Sequence, residues 1–244
     1  MQMLFPESVA SIDPWTVYTD LPHNEGRPSV RLNMIVSVDG GTSWNGVSGA
    51  LGGSADKDLF SVLRSLADVI LVASGTMREE HYGPAVLASK IQDMRLEHGQ
   101  TPVPKIAVVS RTCRFDWKTS FFTAAAERPI VITVSSAAEA DRSRAAEVAE
   151  VIVAGQNNVN LSQAITELGS RGAKSVLAEG GPTLNGELAK ASLLDELCVT
   201  LSPVLASGDA KRIIAGSSLD DLKALDLCSI CEEDNYLFLR YRPR

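Results

Sequence analysis

The segment from Leu177 to Leu184 combines an acid, two glycines and a proline in an order that suits ligand binding. An apolar run precedes it and apolar residues at helical spacing follow, so it predicts a strand, a tight turn and a helix. Glycines let the backbone approach a ligand closely, and Pro182 suits the first turn of a helix. The free N–H groups of that helix would bind a phosphate, and Glu179 would lie beside it at the end of the strand.

Three other apolar runs end in small or polar residues in the same way. Asp39 ends the first run, the segment Ser74–Thr76 follows the second and Ser110–Arg111 follows the third. Because the carboxyl ends of parallel strands meet at one edge of a sheet, we expect these residues to line one cleft together with Glu179. Arg111 would bring a guanidinium to this cleft, and a guanidinium binds phosphate in a bidentate manner.

Each of these residues also has an ordinary structural explanation, which the sequence leaves open. Asp39 could simply form a turn, and Ser74–Thr76 could simply cap a helix. Arg64 could be a solvated side chain, and Glu179 could be a carboxylate stabilised by the helix dipole. His81 is more typical of a surface residue than of a catalyst. The sequence contains no P-loop, dinucleotide-binding glycine fingerprint or serine-nucleophile turn.

The elements that would position these residues follow from the apolar patterns. Strands are predicted at 30–38, 69–73, 105–109, 129–134, 151–153, 175–178, 194–201, 225–231 and 236–241. Helices are predicted at 74–81, 86–97, 137–148, 161–168 and 183–191. A further helix, capped by Ser54 or Asp56, would carry Leu59, Val62, Leu63 and Leu66. This alternation indicates an α/β fold with a mostly parallel sheet flanked by helices and a C-terminal antiparallel hairpin. Residues 30–244 are expected to form one domain, and residues 1–29 an irregular arm anchored by Trp15 and Tyr18.

Composition narrows the classes of function. The chain has 244 residues, of which 45% are hydrophobic and 22% charged, so a sizeable core can form. The formal net charge of −7 argues against nucleic acid or an anionic membrane as the main partner. No apolar run has the roughly 18 residues that a membrane span needs, and the start of the chain does not resemble a secretory signal. We therefore expect a cytoplasmic protein that binds a small molecule.

The cysteines favour a structural role. They are Cys113, Cys198, Cys228 and Cys231, and the last two have the C-x-x-C spacing of some metal and redox sites. These two lie in a predicted strand, where residues three apart point to opposite faces. The three histidines are scattered, so we expect no metal site.

Seven short segments occur in one order along the chain. They are Asn33–Gly40, Leu63–Arg64, Ala67–Val72, Gly75–Thr76, Glu179–Leu184, Leu193–Leu197 and Pro203. In this order they resemble the pyrimidine reductase family of riboflavin biosynthesis, over about residues 30–241. That family comprises the reductase half of the bifunctional deaminase/reductase and the free-standing diaminopyrimidine reductase. The resemblance implies a dihydrofolate-reductase-like fold, NADPH as cofactor and a homodimer.

The resemblance also implies a reaction and a set of site residues. The reaction is hydride transfer to C1′ of a ribosylamino-pyrimidine 5′-phosphate in its imine form, which gives a ribitylamino product. The cofactor-binding residues would be Val36, Thr76, Ser110, Arg111, Gly155, Gly180, Gly181, Pro182, Thr183 and Leu184. The substrate-binding residues would be Asn33, Asp39, Ser48, Arg64, Glu80 and Glu179. Glu179 and Glu80 are the candidates for proton relay, because the cofactor supplies only the hydride.

The chain departs from the family pattern near the substrate. Glu80 stands where the family often has aspartate, and no arginine follows it until Arg95. Ala50 stands where the family often has tryptophan. Three hypotheses therefore stay open: an NADPH-dependent pyrimidine reductase, a paralogue that reduces a pteridine such as dihydrofolate, and an NADPH-binding protein without catalysis.

Overall fold

The computed structural model describes residues 1–244 as ten strands and eight helices. The strands are β1 (Gln2–Phe5), β2 (Ser29–Ser37), β3 (Val69–Ala73), β4 (Lys105–Val109), β5 (Ile130–Thr133), β6 (Glu150–Val153), β7 (Ser175–Ala178), β8 (Glu196–Ser202), β9 (Leu225–Glu233) and β10 (Tyr236–Pro243). The helices are α1 (Pro14–Tyr18), α2 (Ser54–Leu66), α3 (Ser74–Glu79), α4 (Ser89–Glu97), α5 (Ser120–Thr123), α6 (Glu139–Val148), α7 (Leu161–Ser170) and α8 (Pro182–Lys190).

All ten strands form one sheet, in the order β1-β9-β10-β8-β2-β7-β3-β4-β5-β6. From β8 to β6 every neighbouring pair is parallel. β1, β9 and β10 pair in antiparallel fashion at one end. The predicted α/β class, the mostly parallel sheet and the C-terminal hairpin are therefore confirmed.

The position of β7 creates the functional edge of the sheet. β7 lies between β2 and β3 and is parallel to both, although it follows them by more than a hundred residues in the chain. The carboxyl ends of these three strands are therefore neighbours. Segments 37–41, 179–181 and 74–76 therefore leave the sheet at the same edge.

Helices cover both faces of the sheet, and the central strands pack on both sides. In β3, Val69 and Leu71 belong to a core cluster that includes residues of α7 and α8. Ile70 and Val72 point the other way, into a cluster that includes Phe121 of α5. A third cluster joins α1 and α2 to β8 and β10. This double burial matches the continuous apolar runs of the sequence and holds the strand ends in place.

The first 29 residues are more regular than their composition predicts. β1 pairs with β9, and α1 begins after Asp13, whose side chain accepts a hydrogen bond from the backbone N–H of Trp15. Tyr18 is 1% exposed. The segment is thus less irregular than expected, since it contributes β1 and α1, and the burial of Tyr18 agrees with the anchoring role proposed for it.

The other predicted elements are present with small shifts at their ends. The strands at 69–73, 105–109 and 175–178 have the predicted bounds. Gly53 is the N-cap residue of α2, so neither Ser54 nor Asp56 takes the capping position that the sequence suggests. None of the helices has both the length and the apolar character that a bilayer crossing requires.

Candidate active site

A cavity of about 860 Å³ lies at the carboxyl ends of β2 and β7. The segments 42–52 and 206–211 form two of its walls, and α2, α3 and the turn after β7 complete it. This volume is in the usual range for small-molecule sites. The predicted site residues among its lining are Asn33, Ser48, Thr76, Glu80, Glu179, Gly181 and Pro182.

Glu179 is the most heavily engaged polar residue of the cavity. Its two carboxylate oxygens accept hydrogen bonds from Nε and Nη2 of Arg64, each at 2.7 Å. The hydroxyl of Tyr82 also donates to Oε2, again at 2.7 Å. The Glu179 side chain is 2% exposed and that of Arg64 is 23% exposed. Arg64 and Glu179, both expected among the substrate-binding residues, therefore form a bidentate, largely buried ion pair.

Aromatic rings fix the other side of this ion pair. The guanidinium carbon of Arg64 lies 4.2 Å from the ring centre of Phe60, one turn earlier on α2, and 5.5 Å from that of Tyr82. Burial by itself would lower the pKa of Arg64, but the charge of Glu179 outweighs it and raises that pKa. Burial and the Glu179 charge both raise the pKa of Tyr82. At neutral pH the cluster thus holds a charged arginine and a neutral tyrosine.

The glycine turn is packed against the start of α3. The backbone N–H of Ala73 donates to the carbonyl of Gly180 at 2.7 Å, which ties the turn to β3. Gly180 has a φ of 93°, in the region that favours glycine. A Cβ on Gly181 would lie 2.4 Å from the Thr76 hydroxyl oxygen, so any larger residue would force Thr76 to move. Gly181 is also the N-cap residue of α8 and offers no side-chain hydrogen bond, so the N–H groups of the first turn face the cavity edge without that partner.

A second group of predicted cofactor residues lies further along the same edge, outside the cavity, so the expected single cleft does not include Ser110 and Arg111. Arg111 is exposed, and its Nη1 lies 3.4 Å from Oδ1 of Asn158. Gly155 has a φ of 87°, and a Cβ there would lie 2.3 Å from the Asn158 carbonyl oxygen. The structure thus brings Arg111 beside the turn that contains Gly155. Ser110 is 4% exposed and its hydroxyl accepts the backbone N–H of Cys113.

The remaining predicted cofactor residues do not line the cavity. Val36 is half-buried on β2, three residues beyond Asn33, which does line it. Leu184 is 6% exposed and packs in the core, so only its backbone could meet a ligand. Thr183 is exposed on α8.

The predicted substrate residues differ in their surroundings. Asn33 lines the cavity, and its Oδ1 is buried without a hydrogen-bond partner. Glu80 accepts the backbone N–H of Ser48 at 2.7 Å, which fixes the 42–52 wall to the end of α3. Asp39 does not line the cavity. Its carboxylate accepts hydrogen bonds from the Ser37 hydroxyl and from the backbone N–H groups of residues 206 and 207, which together lower its pKa to about 2.

Asp56 is a cavity residue whose chemistry the sequence did not reveal. It lies in the first turn of α2, and its Oδ2 folds so close to Gly52 that a Cβ there would lie 2.7 Å away. Burial raises the pKa of Asp56, while the Thr200 hydroxyl and Lys57 oppose that shift. A carboxyl that keeps its proton more readily than usual can serve as a proton donor. The sequence signalled Asp56 only as a possible helix cap.

The cysteines lie outside this cavity. All four are free, and Cys228 and Cys231 lie on β9, in the strand predicted for them. Burial raises the pKa of Cys198 to about 12, which makes it a poor nucleophile. No group of three or more histidine, cysteine, aspartate or glutamate side chains is placed to hold a metal ion.

Comparison with protein families identifies the chain. The family described as the RibD C-terminal domain matches residues 28–237. The chain belongs to the RibD C-terminal domain family. The resemblance inferred from the strand-end motifs is therefore confirmed. The match covers every predicted site residue.

Relatives within the RibD C-terminal domain family carry reductase names. A protein of Archaeoglobus fulgidus is 30% identical over 196 residues, which is 79% of this chain and 88% of the relative, and is named 2,5-diamino-6-ribosylamino-4(3H)-pyrimidinone 5′-phosphate reductase. A protein of Aquifex aeolicus with the same name is 29% identical over 82% of this chain and 88% of its own length.

Solved structures share the fold. A crystal structure of a pyrimidine reductase-like protein from Corynebacterium diphtheriae superposes with a TM-score of 0.82 at 29% identity, over 95% of this chain and 98% of the other. Acinetobacter baumannii RibD gives a TM-score of 0.70 at 21% identity, over 90% of this chain and 59% of the longer one. The second likeness concerns the fold alone. Both agree with the fold that the sequence predicted.

Proposed function

We propose that this RibD C-terminal domain protein is an NADPH-dependent reductase of a ribosylamino-pyrimidine 5′-phosphate in riboflavin biosynthesis. The observation that carries the proposal is one cavity lined both by Glu179, which Arg64 holds from behind, and by the Gly181 turn. The names of the relatives support the same substrate class. A pteridine substrate finds no support of this kind.

The residues present fit a nicotinamide cofactor. Because Gly181 has no side chain, a ligand can approach its backbone beside Thr76. The backbone N–H groups at the N-terminus of α8 would bind a phosphate of that ligand. Arg111, beside the Gly155 turn, is the cation for a further phosphate at the outer end of the site. A cofactor bound there supplies the hydride that reduces C1′ of the substrate imine. We infer NADPH rather than NADH from the position of Arg111.

The side chains of the cavity would supply the proton, position their neighbours and bind the heterocycle. As the C1′–H bond forms, the π electrons of the C1′–N bond move to the nitrogen, which takes up one proton. We assign that proton to Asp56, because the oxygens of Glu179 are occupied by Arg64 and Tyr82. Glu179 then acts by holding Arg64 and Tyr82 in place. The unpartnered Oδ1 of Asn33 would accept a hydrogen bond from the heterocycle.

Two further residues shape the substrate side. Glu80 would act through the Ser48 backbone, by holding the 42–52 wall in the position that the substrate requires. Asp39 would act at a greater distance, because it secures residues 206 and 207 of the adjoining 206–211 wall. We propose both as positioning residues.

Turnover tests the proposal directly. Purified protein should oxidise NADPH in the presence of the ribosylamino-pyrimidinone 5′-phosphate, and dihydrofolate should give far less. Turnover of dihydrofolate alone would refute the pyrimidine assignment. Cofactor binding without turnover of either substrate would show that the protein binds NADPH but does not catalyse this reduction.

Arg111→Ala should weaken the binding of NADPH more than the binding of NADH. An equal loss for both cofactors would show that Arg111 does not contact the distinguishing phosphate.

We further propose a homodimer, on the family resemblance. Light scattering coupled to size-exclusion chromatography would give about twice the 26.1 kDa chain mass if it is correct. A single chain mass would refute it.

A further inference from the structure

Only two of the side chains that line the cavity are cationic. They are Lys57, in the first turn of α2, and Lys211, in the 206–211 segment. Five lining residues are acidic: Asp56, Glu79, Glu80, Glu179 and Asp209. Binding of an anion in such a cavity depends on where its few cations lie.

Neither lysine is neutralised by a neighbouring acid. No carboxylate oxygen lies within 4.0 Å of either ammonium nitrogen, whereas Arg64, just behind the cavity, is fully committed to Glu179. Both lysine side chains are exposed and free to reorient towards a ligand. They are therefore available cations within the cavity.

The backbone at both lysines is held in place. The Lys57 N–H donates to the Gly53 carbonyl at 3.2 Å within α2. The Lys211 carbonyl accepts the Thr42 hydroxyl at 2.9 Å, and Thr42 is 6% exposed. Gly53 gives the first turn of α2 no side-chain hydrogen bond, so the positive end of this 13-residue helix adds to the Lys57 charge.

Arg95, the first arginine after Glu80, is not available to a ligand in the cavity. Arg95 is 2% exposed and donates to the carbonyls of Ser65, Ala67 and Thr101, so it secures the end of α2 instead. It does not line the cavity. The positive charge that binds a phosphate in this cavity must therefore come from residues other than Arg95.

We propose that Lys57 and Lys211 together bind the 5′-phosphate of the substrate. The inference rests on the proposed function, since it names the group by which the substrate is selected. The two lysines thereby make this chain prefer the phosphorylated substrate over the nucleoside.

The test compares two substrates across matched variants. Lys57→Gln and Lys211→Gln should each lower kcat/KM for the phosphorylated substrate about tenfold more than they lower kcat/KM for the dephosphorylated nucleoside. The double variant should lose about a hundredfold and show no preference for phosphate. Lys57→Arg should retain most of the preference. Lys118→Gln, an exposed lysine outside the cavity, is the control and should behave as wild type.

Three outcomes separate the possible failures. An equal loss for both substrates, or a phosphate preference that survives in the double variant, overturns the lysine assignment. If wild type reduces neither substrate, the proposed function fails, and calorimetry with ribose 5-phosphate and ribose then decides the subsite. Wild type should bind ribose 5-phosphate at least about tenfold more tightly than ribose, and the double variant should not. Equal binding of both by wild type overturns the inference.

Discussion

Replacement of Glu179 by glutamine removes the charge that the Arg64 cluster is built around. The two guanidinium contacts and the Tyr82 contact all measure 2.7 Å, and the Glu179 side chain is only 2% exposed. Glutamine keeps one oxygen that can accept a hydrogen bond, but its amide nitrogen places a donor where two donors already point. Glu179→Gln therefore leaves a largely buried arginine without a counter-charge.

The expected loss of stability follows from these contacts. Removal of one partner of a buried ion pair costs about 3 to 5 kcal/mol. Arg64 keeps 23% exposure and its stacking on Phe60, so we expect the lower end, about 3 kcal/mol. For a chain of this length that corresponds to a fall in melting temperature of about 6 to 12 °C. Chemical denaturation followed by circular dichroism gives the free energy of unfolding of both proteins.

A matched variant and a double-mutant cycle separate the contacts. Tyr82→Phe removes one hydrogen bond and leaves the ion pair, so it should cost about 1 kcal/mol. Combining Arg64→Met with Glu179→Gln should cost clearly less than the sum of the single variants, because each removes the other's partner. An unfolding free energy for Glu179→Gln within about 0.5 kcal/mol of wild type would show that the ion pair does not stabilise the fold.

Three further changes test other parts of the structure. Gly181→Ala places a Cβ against the Thr76 hydroxyl and should cost about 1 to 3 kcal/mol in thermal denaturation, with recovery in Gly181→Ala/Thr76→Ala; no recovery would mean that the clash is not the cause. Asp56→Asn should lower kcat about a hundredfold or more, and the wild-type kcat should fall as pH rises through the raised pKa of Asp56; the same pH limb in the variant would exclude Asp56 as the proton donor. Glu196→Gln leaves Arg31 and Arg240 without their buried partner and should cost about 3 to 5 kcal/mol at neutral pH. Burial opposes the ionised form of Glu196, but its arginine partners lower its pKa in the folded protein. Ionised Glu196 therefore contributes fully to the free energy of unfolding above about pH 4.5, and this contribution is lost on acidification. If the unfolding free energies of wild type and Glu196→Gln keep the same difference in acid, this reasoning is contradicted.

The sequence predicted those parts of the fold that are encoded locally. β3 and β7 are continuous apolar runs with polar residues at both ends, and their bounds were correct. β1 has four residues and pairs with β9 near the other end of the chain, so no local pattern could reveal it. The irregular arm was predicted for that reason.

The sequence predicted those site residues that lie within recognisable motifs and missed those that lie outside them. Glu179 and Arg64 were both placed near the substrate because each lies in a recognisable segment. Tyr82 and Lys211 lie beyond the regular elements, where the sequence has no periodicity, and only folding brings them to the cavity. Asp56 illustrates a different limit, since an acid at the start of a helix has the same local pattern whether it caps the helix or faces a ligand.

The placement of β7 beside β2 also constrains how the chain reaches its native state. Val30 of β2 pairs with Val176 of β7, so this strand gains that neighbour only after about 150 further residues have been synthesised. At common translation rates that interval is on the order of 10 s, during which the apolar side chains of β2 have neither parallel partner. We expect nascent chains that end before β7 to be cleaved readily by protease within β2, and chains that extend past β8 to resist. Equal resistance of both would mean that β2 is protected by earlier contacts.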